Sequence, residues 1–580
     1  MTDDIRADID VASGRVPADL ALRNGRFLDV FTGELQDGDM AVRAGRVVAV
    51  GPPGAYRGVR EMDLGGRIAV PGLIDAHVHI ESSMHGPAGF ASLTVPRGTT
   101  TVIADPHEIA NVRGMAGIRW MLEASEDVPQ SVFVMLPSCV PATPFEDAGA
   151  VLDARALSEL IGHPRVLGLG EAMDYPAVAA AREGIVDKIA LARREGKLID
   201  GHSPAMTGKD LAAYAASGIS TDHECTNLEE MKARLRLGMR VLIREGTAAR
   251  DLRALIGGVN SVTSRRCAFC TDDKLPGDIL NEGHIDFNVR SAVAAGIDPV
   301  EAVRLATLNA AEAYGLSDRG ALAPGRRADI AVLGGSLEDF RVEDVFIAGE
   351  KVASGGTLLE APVQTDDSAV RDSVRLAPLG PQDLDLSVPS GRGRVIVMTP
   401  GSLVTGCEIR DIPVDDRGCF TASADKDLLK LAVVERHKGT GRIGLGIVEG
   451  YGLSGGAAAV SIAHDSHNFI AVGDDDAAIL AALRALATSG GGLSVAASGG
   501  EVLGVLPLPL GGLMSDGEAP KTAEKLEELI ALCHKKLGVR ADLDPFMPLS
   551  FLSLPVIPDL KLTARGLFDV KKFEFVPVEV

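Results

Sequence analysis

The chain has 580 residues, of which 46% are hydrophobic and 24% are charged, proportions typical of a globular protein rather than of a fibrous or disordered one. The 80 acidic residues outnumber the 58 lysines and arginines, and the net charge of −22 argues against nucleic acid or an anionic membrane surface as a partner. We expect a cytoplasmic protein, because the sequence has no apolar run long enough to span a membrane, no secretory signal, and only seven cysteines.

The first part of the chain, residues 1–70, has the pattern of a β-domain. Short runs of Val, Ile and Leu are bounded by Gly and Asp, as in residues 37–51, and such runs are typical of strands and hairpins. The same pattern returns over residues 321–360. We therefore expect these two distant pieces to pair as one small β-sandwich domain.

Between them, residues 71–320 alternate short apolar runs with stretches of helical periodicity. The runs are Ile68–Ile74, Thr101–Ala104, Val132–Leu136, Val166–Leu169, Lys197–Ile199, Gly218–Thr221, Arg240–Ile243 and Cys267–Cys270. Residues 185–194, 211–217 and 228–237 have the spacing of amphipathic helices. Strands that alternate with helices form parallel sheets, and eight such units in about 250 residues match an α/β fold, the (β/α)8 barrel.

A polar, weakly patterned segment, residues 358–372, is interpreted as a linker. It leads into a Gly-rich C-terminal domain, residues 373–580, of α/β or α+β type. This domain contains the sequence His464-Asp-Ser-His467, which fits either a second metal site or a hydrogen-bonded turn; we favour the turn.

Ionisable side chains follow most of the predicted barrel strands. They include Asp75, His77, His79, Asp105, His107, Glu108, Glu171, His202, His223, Glu224 and Asp272. The carboxyl ends of the strands of a parallel barrel form one rim, which carries the active site. His77 and His79 alternate along a strand and therefore point to the same face. Imidazole with carboxylate suits zinc, iron or manganese, and a bridging carboxylate would allow two ions to activate one hydroxide.

At these residues the sequence resembles the amidohydrolase superfamily of metal-dependent hydrolases, and within it the bacterial-type adenine deaminase family. The matching motifs cover nearly the whole chain. They are PGLIDAHVH (71–79), HVHIESSM (77–84), ADPHEIAN (104–111), TDHE (221–224), REG (244–246), AHDSHN (463–468), GGLMS (511–515) and PFMPLSFL (545–552). Many members of the superfamily bridge their metals with a carboxylated lysine on the fourth strand, where this chain has Glu171.

The resemblance implies hydrolysis of adenine to hypoxanthine and ammonia in purine salvage, with two divalent ions, manganese or iron, and zinc as a further option. The expected metal ligands are His77, His79, Glu171, His202, His223 and Asp272. Asp272 is also the expected general base, because it can accept the proton of the attacking water. Glu108 is the expected acid that protonates a ring nitrogen, with His107 and Glu224 as alternatives.

Two other functions fit parts of the same pattern. One is a different cyclic amide or amine hydrolase, such as a dihydroorotase-like or hydantoinase-like enzyme, because fold does not fix function. The other is a non-catalytic relative that binds metabolites. Glu171 and the long C-terminal region favour the deaminase over the first, and the complete set of expected ligands argues against the second. We also expect a homo-oligomer, since large barrel enzymes with appended domains often associate.

Overall fold

The computed structural model describes residues 2–399, 402 and 404–580. After the helix Thr2–Ala12, the two β-rich pieces form one nine-stranded sheet. In sheet order its strands are Thr357–Leu358, Glu350–Ser354, Val342–Ile347, Ile330–Leu333, Ile68–Pro71, Ala18–Asp29, Glu34–Arg43 and Arg46–Gly51, with Gly58–Asp63 beside Ala18–Asp29. The two pieces join where Ile330–Leu333 pairs antiparallel with Ile68–Pro71. The expected pairing of distant segments is thereby confirmed.

Eight parallel strands form the barrel. In chain order they are Leu73–Val78, Thr99–Ala104, Ser131–Leu136, Val166–Ala172, Leu198–Gly201, Thr221–Asp222, Arg240–Arg244 and Cys267–Cys270. They lie in hydrogen-bonded groups of five and three. Backbone hydrogen bonds cross both seams: the Ser220 amide donates to the Ile199 carbonyl at 3.0 Å, and the Asp272 amide donates to the His77 carbonyl at 3.0 Å. The α/β barrel fold expected from the sequence is confirmed.

The first predicted run, Ile68–Ile74, is divided between two sheets. Ile68–Pro71 belongs to the β-domain and Leu73–Val78 to the barrel. Pro71 has no amide hydrogen to continue a ladder, and Gly72 lies so close to the second barrel strand that a Cβ there would be 2.3 Å from Thr100 Oγ1. The boundary between the two domains therefore lies within a continuous apolar run, and the sequence pattern does not show it.

Helices connect the barrel strands and cover the outside of the barrel. They are Pro87–Thr94, His107–Arg113, Met115–Ala124, Ala154–Leu157, Tyr175–Ala179, Glu183–Arg194, Gly208–Ala216, Leu228–Arg236, Leu252–Leu255, Pro276–Asn281, Ile285–Ala294, Pro299–Leu305 and Leu308–Ala313. The three helices predicted from periodicity are among them, with ends shifted by a few residues. Within the described part of the chain, no helix combines the length and the hydropathy needed to cross a bilayer.

The C-terminal region is built on an eight-stranded sheet. In sheet order its strands are Thr405–Asp411, Arg392–Met398, Ile443–Glu449, Leu429–Val434, Phe469–Gly473, Gly456–Val460, Gly492–Ala497 and Glu501–Pro507. All neighbours are antiparallel except Arg392–Met398 with Ile443–Glu449, so the region is of α+β type.

Smaller elements complete the C-terminal region and attach it to the barrel. They are the helices Asp476–Ser489, Ala519–Lys536 and Met547–Phe551 and the short strands Leu560–Thr563, Gly566–Asp569 and Glu574–Phe575. The Ser515 amide donates to the Met84 carbonyl at 2.7 Å, which fastens the region to the rim of the barrel. The domain boundaries drawn from the sequence stay predictions.

Candidate metal centre

The six predicted metal ligands converge at the carboxyl ends of the barrel strands. In strand order they are His77 and His79 (first), Glu171 (fourth), His202 (fifth), His223 (sixth) and Asp272 (eighth). Five of these residues are buried, and His202 is partly exposed. Strands that are distant in the sequence thus deliver imidazole and carboxylate groups to one point of the rim.

Glu171 lies at the centre of this cluster. Its Oε1 is 3.3 Å from His79 Nε2. Its Oε2 is 2.7 Å from His202 Nδ1 and 3.3 Å from His223 Nε2. One carboxylate therefore faces two separate groups of imidazoles, which is the arrangement that a ligand bridging two cations requires.

Asp272 completes the group around the first strand. Its Oδ1 is 3.0 Å from His79 Nε2 and 3.6 Å from His77 Nε2. Its backbone is in the left-handed region, with φ of 60°, which is uncommon for a residue other than glycine and is often found at functional sites. Hydrogen bonds to both histidine backbones hold it there, because its amide donates to the His77 carbonyl and its carbonyl accepts from the His79 amide.

The donor atoms of this cluster fit divalent cations. Among the described residues, His77 Nε2 and Glu171 Oε1 have no hydrogen-bond partner although both are fully buried, and such buried orphans are rare in folded proteins. His79 Nδ1 donates to the Asp105 carbonyl at 2.9 Å, so the lone pair of Nε2 is left facing Glu171 and Asp272. A second hydrogen bond of this kind is typical of metal-binding histidines.

Both acidic ligands are held in the ionised form that a cation needs. Burial on its own would raise the pKa of Glu171, but its contacts with His107, His202 and His223 hold that pKa well below its usual value. Burial would likewise raise the pKa of Asp272, and the neighbouring His77 and His79 imidazoles together with the charge of Arg244 keep it well below the usual range.

Arg244, the last residue of the seventh strand, lies beside the cluster. Its side chain forms ion pairs with Asp272 at 2.8 Å and Asp251 at 3.1 Å, and a shorter one with Glu224. Glu224, an alternative acid in the sequence-based mechanism, is therefore bound to a guanidinium, which lowers its pKa. Glu245 follows Arg244 directly in the chain, and neither residue is among the ligands or catalytic groups expected from the sequence.

Glu108 lies in the first turn of helix His107–Arg113, against two histidines of the C-terminal region. Its Oε1 is 2.8 Å from His464 Nδ1, and its Oε2 receives a close hydrogen bond from His467 Nε2. Burial would raise the pKa of Glu108, but these histidines hold it well below the usual value. Burial would lower the pKa of His464, and the Glu108 carboxylate raises it to about 9. The pair is thus an imidazolium beside a carboxylate.

The geometry of His464, His467 and Glu108 favours hydrogen bonding over a second metal site. The three side chains are close enough to surround an ion. However, His467 Nδ1 accepts a hydrogen bond from the Ala463 amide at 3.3 Å, so the neutral ring carries its proton on Nε2, the atom that faces Glu108. That proton makes Nε2 a donor and leaves no lone pair for a cation.

His107, the other alternative acid, lies between the metal cluster and Asp465 of the C-terminal region. Its Nδ1 is 3.2 Å from Glu171 Oε1, and its Nε2 is 3.4 Å from Glu108 Oε1. Glu171 and Glu108, two carboxylates with different surroundings, are therefore linked through one imidazole.

An open cavity of about 700 Å³ adjoins the metal cluster, between the rim and the C-terminal region. Glu81, Ser82 and Asp273 line it from the rim. His464, Phe546 and Phe551 line it from the C-terminal region, where the His464 ring stacks on Phe551 with centroids 4.3 Å apart. Aromatic and apolar walls with a few polar groups are typical of sites for small organic molecules.

Comparison with known proteins places the chain in a family. Residues 68–352 match the model of the amidohydrolase family, and residues 402–574 match that of the adenine deaminase C-terminal domain. An adenine deaminase of Nitratidesulfovibrio vulgaris (strain DP4) is 54% identical over 99% of this chain and 98% of the relative. Adenine deaminase 2 of Carboxydothermus hydrogenoformans is 50% identical over 99% of both chains. With this similarity over its whole length and with the rim of histidines and acids described above, the chain belongs to the adenine deaminase family of the amidohydrolases.

Proposed function

We propose that this chain hydrolyses adenine to hypoxanthine and ammonia, with two divalent ions held at the barrel rim. The observation that carries the proposal is the position of Glu171, whose two carboxylate oxygens face different imidazole groups. The names of the curated relatives, which match over nearly the full chain, support adenine as the substrate. The activity belongs to purine salvage, in which a free base is recovered.

The ligand set divides into two groups around Glu171. His77, His79 and Asp272 would hold one ion together with Glu171, and His202 and His223 would hold the other with the same carboxylate. Bound divalent ions supply hydroxide at neutral pH by lowering the pKa of water. The mixed nitrogen and oxygen donors suit manganese or iron, and also zinc.

Asp272 is the proposed general base. Its carboxyl group is ionised, as a general base must be before it accepts a proton. Oδ1 faces the imidazoles of the first strand, whereas Oδ2 accepts a hydrogen bond from Arg244 Nη1. This fixed orientation allows the same carboxyl group to take the proton of the nucleophile and to return it to the leaving ammonia.

Glu108 stays the residue predicted to take part in protonation of a purine ring nitrogen. Its contacts indicate that it would act through His464. Because Glu108 is ionised and His464 is held protonated beside it, the proton available to the substrate is on the histidine. His464 Nδ1 contacts Glu108 Oε1, so transfer to a ring nitrogen would use Nε2. Both residues line the cavity next to the metal cluster.

The proposal is tested by an assay of purified protein with adenine, dihydroorotate and hydantoin, with product identified by chromatography and ammonia measured separately. We expect turnover of adenine to hypoxanthine and ammonia. Turnover of a cyclic amide without turnover of adenine would instead support a dihydroorotase-like or hydantoinase-like function. Homo-oligomerisation, cytoplasmic location and the lack of nucleic-acid and membrane partners stay predictions from the sequence.

A further inference from the structure

We propose that Glu81 binds the purine directly, by accepting a hydrogen bond from the N–H group of its five-membered ring. Glu81 lies in the 3-10 turn Ile80–Ser83, which carries the chain from the first barrel strand over the rim. Its side chain is one of those that line the 700 Å³ cavity beside the metal cluster. The inference rests on the proposed function, because it names a residue that recognises the substrate of that site.

The two oxygens of Glu81 have different surroundings. Oε1 accepts a hydrogen bond from the Ile109 amide at 3.1 Å, which fixes the carboxyl group in place. Oε2 has no hydrogen-bond partner among the described residues, although only 3% of the residue is exposed. A buried polar atom without a partner destabilises the fold, and Glu81 lines the cavity beside the metal cluster, so a ligand bound there would supply the missing partner.

The chemistry of adenine limits which atom can fill this role. In its ionised form the Glu81 carboxyl group only accepts hydrogen bonds, and free adenine has two kinds of donor, the exocyclic amine and one ring N–H. The amine must lie at the metal cluster, where it is displaced. The ring N–H is therefore the donor that remains for Glu81 Oε2. A base substituted at that nitrogen, as in a nucleoside, has no such donor, so this contact would favour the free base.

The apolar surroundings of the Glu81 carboxylate should make it discriminate between ligands with and without the ring N–H. The cavity walls around it are largely apolar, with Met84, Leu275 and Phe546 among the lining residues. In such surroundings water does not readily replace a missing donor. A ligand without the N–H therefore leaves Glu81 unpaired, which weakens its binding.

The test measures binding of two probes that cannot be deaminated because they have no amine: purine, which has the ring N–H, and 9-methylpurine, which does not. Calorimetric titrations would compare the wild type, Glu81→Leu and Glu81→Gln, all loaded with manganese. We expect Glu81→Leu to weaken purine binding by about 10-fold to 100-fold, as for a hydrogen bond to a charged group, with little change for 9-methylpurine. Glu81→Gln keeps an acceptor oxygen and should retain most of the binding.

Glu146 provides a matched control. It is also a buried glutamate with one oxygen that accepts from the chain, from the Thr143 amide, and one oxygen without a partner, but it does not line the cavity. Glu146→Leu should leave the binding of both probes unchanged.

Equal losses for purine and 9-methylpurine in Glu81→Leu, or no loss for purine, would overturn the assignment. If Glu81→Leu does not fold, the same titrations with Glu81→Ala, which also removes the acceptor, decide the question. A wild type that binds purine but does not deaminate adenine would contradict the proposed function instead, so the two failures are distinguishable.

Discussion

Arg244 Nη1 donates a hydrogen bond to Asp272 Oδ2 at 2.8 Å, from the end of the seventh barrel strand to the end of the eighth. The other carboxylate oxygen, Oδ1, is 3.0 Å from His79 Nε2. Arg244 also pairs with Glu224 and Asp251, so the guanidinium is fixed on three sides. The proposed base is thus oriented by a residue that itself has little freedom to move.

Arg244→Met should lower kcat by about 100-fold with little change in KM, because a misplaced catalytic group slows the chemical step more than it weakens binding. Arg244→Lys, which keeps the charge, should recover part of the loss. Steady-state kinetics with adenine and the metal content of each variant are the measurements. Arg67→Met, which removes a similar ion pair with Asp344 in the β-domain, is the control. A normal kcat in Arg244→Met would mean that Asp272 needs no such support.

Asp272→Asn should lower kcat by about 1,000-fold or more, since an amide cannot accept the proton of the nucleophile. The asparagine has nearly the same size and can still accept the hydrogen bond from Arg244, so the fold should persist. Activity, far-ultraviolet circular dichroism and metal content together check this expectation. A folded, metal-loaded variant with near-normal turnover would exclude Asp272 as the base.

Glu171→Gln should reduce the bound metal from two ions per chain to one or fewer. The neutral amide cannot supply the negative charge that the Glu171 carboxylate would provide to both ions. The measurement is elemental analysis of protein dialysed with each metal. Chelation of the wild type should abolish turnover, and added manganese or iron should restore it. Two ions retained in Glu171→Gln would show that the bridging role is wrong, and full activity of metal-free wild type would contradict the metal centre altogether.

Much of this centre was predictable because its signals are local. A histidine or acid shortly after the end of an apolar run, as at His202 and His223, can be placed on the rim from the barrel pattern alone. The split of the first run at Pro71 was not predictable from apolar periodicity alone, since both halves are equally apolar. Glu81 and His464 were also missed as site residues. Glu81 lies in a turn after the first barrel strand, and the sequence does not specify the direction of that turn. The contact of Glu108 with His467 joins residues 359 positions apart in the chain, which no local pattern indicates.

Lys561 should make the stability of the protein depend on pH above neutrality. Burial lowers the pKa of Lys561 to about 7, whereas in the unfolded chain it is about 10.4. Between these values the unfolded state binds more protons, so stability should rise with pH, by at most about 1.4 kcal/mol per pH unit. Lys561→Met should remove this contribution.

The measurement is the difference in thermal midpoint between wild type and Lys561→Met at several pH values from about 7 to about 10. The midpoint of the wild type should rise relative to that of the variant as the pH increases. Lys571→Met, at an exposed lysine close by in the sequence, should show no such trend. A constant difference between wild type and Lys561→Met would mean that Lys561 is charged in the folded protein throughout this range.

The Glu108–His464 pair gives a prediction about the pH dependence of the reaction. If the His464 imidazolium supplies the ring proton, kcat/KM should fall as the pH rises through about 9, the pKa to which Glu108 raises this histidine. Glu108→Gln removes the charge that keeps the proton on the ring. The decline in rate should therefore begin at lower pH, and kcat at neutral pH should fall by about 100-fold or more.

Variants of the two histidines separate this chemical role from mere attachment of the C-terminal region to the barrel. His464→Gln should lose activity as Glu108→Gln does. His467→Gln should lose less, because it removes the contact to the other oxygen of Glu108 and leaves His464 protonated. If all three variants lower the thermal midpoint and the rate alike, with unchanged pH profiles, the pair only holds the two regions together, and the ring proton must come from elsewhere in the cavity.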